Sequence, residues 1–208
     1  MNAVQLCNMA LSSLGIPTIV SFDDDSNQAR QCKIFFPVLR DRVLRDHIWS
    51  FALAGAELQE LSETPYDPTF STVCALPVDL IRLVDVYPEQ EYRLNGRKLL
   101  THSAIVHIVY VRRVENPELF DPLFCDALQS LMASEIALSN TRDASLAQYH
   151  RQEYERRLLL AQSVDSQENI HIIQPGQFHS NFIAAKFGRS IRGNEQKITA
   201  RTGDCGVQ

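Results

Sequence analysis

The hydrophobic period of this chain changes twice, and no other feature constrains its fold as much. Apolar residues recur at three- and four-residue steps from Ala3 to His47. They alternate in twos through much of 50–113, and the helical step returns from Glu118 onward. A period of 3.6 buries one stripe of a helix, and a period of two buries one face of a strand. Neither segment can take the other's structure without exposing its own core face. The expected class is α+β, a helical bundle core with a small antiparallel β-sheet inserted in it. Two N-terminal helices span 3–14 and 26–47, and two longer C-terminal helices span 118–139 and 142–164. The β-rich insertion covers 50–113. Together these make a core of 1–168, followed by an extended C-terminal arm over 169–208.

Local signals set the boundaries. Val4, Leu6, Cys7, Ala10, Leu11 and Leu14 line the first helix, and Gly15 followed by Pro17 stops it. Ser26 is a good cap for the second helix. Its apolar face holds Ala29, Cys32, Phe36, Leu39, Val43 and Leu44. Pro37 in its middle lacks an N–H and crowds the preceding turn, so a kink or a local break is expected there. Beyond His47, Trp49 and Phe51 alternate with Ser50 and Ala52, which places the only tryptophan at a helix–strand junction. Asn95-Gly96 between "EYRL" and "RKLL" predicts a hairpin, and "AIVHIVYVRRV" predicts a central strand. "SETPYDPTF" predicts an exposed loop. Pro122 suits an early helical position and Thr141 a cap. The last helix takes its apolar face from Leu146, Tyr149, Tyr154, Leu158 and Ala161.

After Asn169 the periodicity fails. The segment carries five glycines and isolated apolar residues, the pattern of an arm that orders on a partner. Its charge also differs. Residues 180–208 hold a net charge of +3 against −8 for 1–179, with −5 for the whole chain. A nucleic-acid-binding module acting through this basic tail is therefore the alternative function. The acidic body argues against a nucleic-acid-coating protein. Five cysteines without C-x-x-C spacing fit a reducing compartment with no disulfide framework. No basic leader opens the chain, and no run of 18 apolar residues could span a membrane.

Chemistry-bearing motifs are absent. The six histidines form no H-E-x-x-H, and there is no G-x-S-x-G elbow, Walker loop or Rossmann fingerprint. Neither catalysis nor a metal or cofactor is expected. The acidic run Asp23–Asp25 is a solvated loop ahead of a helix. "RDRVLRDH" puts Arg40, Asp41, Arg42, Arg45 and Asp46 on the polar side of the second helix. Arg42 and Asp46 are spaced to pair across one turn. Arg156 and Arg157 precede Leu158, Leu159 and Leu160, and a helix cannot bury three consecutive leucines against one core. At least one of them is expected at a second contact surface.

Four segments in order resemble the head-to-tail adaptor proteins of short-tailed bacteriophages, the tail tubular protein A group, which are related to connector and head-completion proteins. They are "LCNMALSSLGIPTIVSFDDDSNQA", then "ARQCKIFFPVLRDRVLRDHIWSFA", then "YDPTFSTVCALPVDLIRLVDV" with Leu76–Asp79 as its L-P-x-D, and "YVRRVENPELFDPLFCDALQSLMASEIA". Phe36 stands where such proteins often have tyrosine. The resemblance covers about residues 4–168. It implies a homo-oligomeric ring, typically of twelve copies, with a portal protein above and a tail nozzle protein below. Packaged DNA would pass through without sequence-specific binding. The expected location is the virion neck, and the host cytoplasm before assembly. Under this reading Phe36, Leu39, Trp49 and Phe51 hold the helix–sheet junction. Arg42, Arg45, Arg156 and Arg157 make subunit or portal contacts. Phe178, Phe182, Phe187, Arg189 and Arg192 anchor and steer the arm.

Overall fold

The computed structural model describes residues 1–141 and 143–168. The chain divides into a unit of Met1–Asp165 and a unit of Ser166–Gln208, and the contacts below belong to the first. The arm expected over 169–208, with Phe178, Phe182, Phe187, Arg189 and Arg192, lies outside the described residues.

Helix α1 spans Ala3–Ser13. It opens with a reciprocal cap, in which the Asn2 side chain accepts from the Gln5 N–H at 2.8 Å and the Gln5 side chain accepts from the Asn2 N–H at 2.9 Å. It closes on Gly15, whose φ of +68° lets Ile16 N–H return to the Leu11 carbonyl at 3.0 Å. Helix α2, Asn27–Asp46, starts at Ser26, whose hydroxyl accepts from the Ala29 N–H at 3.1 Å. Of the kink or local break expected at Pro37, the break does not occur, and the helix continues through the proline. Pro37 faces solvent, so the carbonyl it leaves without an intrahelical donor is open to water.

Residues Ser50–Ala52 form a 3-10 turn rather than the first residues of a strand, and β1, Leu53–Leu61, begins after it. The remaining strands are β2 (Thr72–Ala75), β3 (Leu80–Tyr87), β4 (Arg93–Asn95), β5 (Lys98–Thr101) and β6 (Val106–Arg112). All pair antiparallel in the order β3-β6-β1-β2-β5-β4, so β6 is an interior strand as expected. The β4–β5 hairpin turns one residue later than the Asn-Gly signal implies. Asn95 pairs with Lys98, which leaves Gly96 and Arg97 as the loop. Gly96 takes φ +58°, the positive angle that a two-residue hairpin requires at its first central position.

β1 belongs to two ladders. Leu53–Leu58 pair with β6, and Gln59–Leu61 pair with β2. Ala54, Leu58, Val86, Val106, Ile108 and Tyr110 from β1, β3 and β6 bury against Cys74 of β2, Leu76 just after it and Leu99 of β5. The sheet thus supplies its own small core. The larger core lies among the helices and takes in Val111 and, at its edge, Ile81 and Val84 from the sheet.

A 3-10 turn, Pro117–Leu119, precedes α3, Pro122–Thr141, where the sequence had suggested helix from residue 118. Asp121 is the cap, accepting from the Leu123 N–H at 2.8 Å. Eleven of the 20 residues of α3 are buried, so it is the central helix. Helix α4 spans Ala144–Glu168, and Asp143 caps it in place of Thr141, accepting from the Ser145 N–H at 2.9 Å. The Thr141 hydroxyl donates back to the Ala137 carbonyl at 2.7 Å. These elements are the α+β core expected, two helices on either side in sequence of a small antiparallel sheet.

Candidate functional site

Trp49 marks the place where α2, β1 and α3 meet. Its indole is fully buried, and its N–H donates to the Val43 carbonyl at 2.9 Å. It packs edge-on to Phe124 with centroids 5.1 Å apart, and lies 6.0 Å from Phe51. Phe51 meets Phe120 and Phe124 at 5.9 and 5.2 Å. Offset and edge-on aromatic pairs add to the stability that burial alone provides. Of the four junction residues, Trp49 and Phe51 come together in this aromatic cluster. Phe36 and Leu39 share the helical core, but the ring partner of Phe36 is Phe22 at 6.2 Å. Phe120 and Phe124 complete the junction, and Phe120, which the helical step from residue 118 had placed one turn before Phe124 on the same helix, instead follows the 3-10 turn and precedes α3.

Asp165 fastens the far end of α4 to this junction. Its carboxylate accepts from the Ser50 hydroxyl at 2.5 Å and the Ser50 N–H at 3.1 Å, and His47 Nε2 lies 3.1 Å from its second oxygen. Serine, histidine and aspartate are all present, but the carboxylate occupies the middle. A nucleophilic triad places the imidazole between hydroxyl and acid, so that the ring can take the proton. Here Ser50 donates to a carboxylate, which describes a staple. Among the described residues, no group of three or more His, Cys, Asp or Glu side chains could hold a metal ion, and no helix is long and apolar enough to cross a membrane.

The arginines expected at interfaces already serve the fold in part. Arg42 lies 3.8 Å from Glu135, and Arg151 lies 3.7 Å from the same carboxylate oxygen, so Glu135 ties α2 and α4 to α3. Asp46, the partner proposed for Arg42, instead accepts from the Tyr154 hydroxyl at 2.8 Å. Burial, followed by that bond, holds the Tyr154 phenol well above its ordinary pKa. Arg45 donates to the Ile81 carbonyl at 2.7 Å. It thereby covers part of the outer edge of β3, a strand whose register with β6 also slips twice. Both devices protect a sheet edge from pairing with another chain. Arg156 pairs with Glu153 at 2.8 Å. Arg157 lies 3.5 Å from Glu153 and reaches the Asp126 carbonyl at 3.3 Å. Arg40 is a correction, because it is buried rather than on the polar side of α2. The buried arc of α2 is wide enough to cover its aliphatic stem, and Asp41 accepts from its Nε and Nη2 at 2.9 and 2.8 Å.

The surface of α4 is the least expected feature. Of its 25 residues only His150, Tyr154 and Ala161 are buried, with Leu146, Ala147 and Leu158 packed at the margin. These positions recur on a seven-residue frame, a narrow seam rather than a broad face. Tyr149 falls beside the seam and is 56% exposed, although its spacing had placed it on the apolar face. Leu158 packs inward, whereas Leu159 and Leu160 are 68% and 51% exposed. On α2, Ile34 and Val38 are 64% and 62% exposed, one turn apart on the side away from the buried arc. Scattered exposed apolar residues are ordinary, but Ile34 and Val38 align along α2, and Leu159 and Leu160, about 100° apart around α4, make a second and broader apolar patch. A shallow groove also runs along α1, lined by Met1, Gln5, Met9, Ser12 and Gln129, and it is too open to enclose a small molecule. No family model matches the chain, and no curated protein matches it.

Proposed function

We propose that the chain is a structural subunit of a tailed-phage connector, closing with its copies into a ring between portal and tail nozzle and leaving a channel for DNA. The observation that carries this reading is the pair of separate exposed apolar patches, Ile34 with Val38 on α2 and Leu159 with Leu160 on α4. A ring is built from heterologous contacts, in which one surface of each copy meets a different surface of the next. A chain with two such patches has the minimum equipment for that closure. The ordered resemblance of residues 4–168 to head-to-tail adaptors supports the same reading. The charge of −8 over residues 1–179 also suits it, since an acidic body repels a phosphate backbone and lets it slide. On this reading the chain performs no catalysis and requires no cofactor.

The test is a double variant, Leu159→Glu with Leu160→Glu, compared with wild type by sedimentation velocity in the presence of the cognate portal. The expected outcome is loss of the assembled species with an unchanged melting temperature. Assembly equal to wild type would remove α4 from the interface and leave the proposal without its main support.

A further inference from the structure

Helix α4 is held by few buried side chains, and one of them is a histidine. Its Nε2 is enclosed and has no hydrogen-bond partner. In a neutral imidazole that nitrogen can be a bare lone pair. In the imidazolium it must be an N–H, which when buried needs an acceptor. Nε2 has no acceptor within hydrogen-bond distance, and the Ser13 carbonyl is the one neighbouring backbone acceptor that favours the charged ring. Helix α1, whose Ser13 carbonyl lies beside the ring, has no charged residue between Ala3 and Ser13. The acids of α3 are Asp126 and Glu135. Glu135 faces Arg42 and Arg151, and the Asp126 carbonyl takes Arg157. On α4 itself Arg157 repels a charged ring. Glu153 attracts it but is already shared by Arg156 and Arg157. The Tyr149 ring stands edge-on at 5.2 Å.

We propose that His150 is a pH-sensitive latch: when neutral it seats the N-terminal half of α4 against α1, and when protonated it releases that half. Burial first, and the charge of Arg157 second, hold the imidazole below its ordinary pKa of 6.5, while Glu153 and the Ser13 carbonyl oppose them. A seated ring therefore binds fewer protons than a released one. Seating is complete above about pH 6.5 and is lost as the pH falls below that value toward the lower pKa of the seated ring. The seam is thin enough for one residue to matter, because only Tyr154 and Ala161 are buried beside it. The latch is a property of the single chain and stands whether or not the chain assembles into a ring.

The test is hydrogen exchange on the full-length protein, corrected for intrinsic rates, between about pH 7.5 and about pH 5. Protection over 144–158 is expected to fall about tenfold or more, while α3 keeps its protection. His47, which follows α2 and contacts Asp165 at the other end of α4, remains in both proteins when wild type is compared with His150→Asn. The variant is expected to show the same protection over 144–158 at both pH values. The imidazole of His150 in wild type, followed by NMR, should titrate below 6.5. A midpoint at or above that value would overturn the latch, as would a pH response in His150→Asn equal to wild type. If the variant does not fold, the wild-type titration and exchange decide the question.

Discussion

At the scale of single residues, the junction rests on an aromatic ring and a carboxylate. Trp49 is large, fully buried and hydrogen-bonded, so Trp49→Ala should cost about 3–5 kcal/mol in denaturant unfolding. A loss under 1 kcal/mol would mean that the aromatic cluster closes around the gap. Asp165 accepts two hydrogen bonds from Ser50 and contacts His47, so Asp165→Ala should cost about 2 kcal/mol by the same measurement. These two residues differ in how visible they are in the sequence. Trp49 stands where one period gives way to another, and a bulky apolar side chain at such a break has few places to go. Asp165 lies 115 residues from Ser50 and occupies a helix position that looks like any solvated acid. Glu135 escapes notice for the same reason, since its partners come from two other helices. Arg40 shows the converse error. Its charge argues for the surface, but an adjacent carboxylate and a long stem let it be buried.

At the scale of elements, α2 and α4 depart most from expectation. Proline in a helix interior costs stability through a missing hydrogen bond and a clash, yet α2 continues through Pro37. Packing of Phe36 and Leu39 on either side holds the helix together there. Because Pro37 itself faces solvent, Pro37→Ala should raise stability by about 1–3 kcal/mol, readable as a higher urea midpoint. An unchanged or lower midpoint would show that the local geometry around the proline is needed by the core. In α4, Leu146, Tyr149, Tyr154, Leu158 and Ala161 share a helical spacing, but spacing alone cannot distinguish a wide face from a narrow seam. Tyr149 falls outside the seam, and His150 falls within it. The hairpin offers a milder case. The glycine was legible and the loop displaced by one residue, because pairing of Asn95 with Lys98 fixes the register rather than the turn dipeptide.

At the scale of the molecule, a self-contained β core and a four-helix core leave exposed apolar residues on the outer sides of α2 and α4. The order of elements followed from the two changes of hydrophobic period. The outward apolar patches did not, because an exposed leucine and a buried one look alike in sequence until the packing partner is known. Only the triplet Leu158–Leu160 hinted at a second surface, since no single core can take all three. The proposed ring is the simplest use of two different exposed patches, and its mass tests it most directly. Light scattering on the purified full-length protein, alone and then mixed with its cognate portal, should find a closed multiple of the 23.6 kDa chain in at least one of the two conditions. A 23.6 kDa monomer in both, with no portal-bound species, would contradict the connector account.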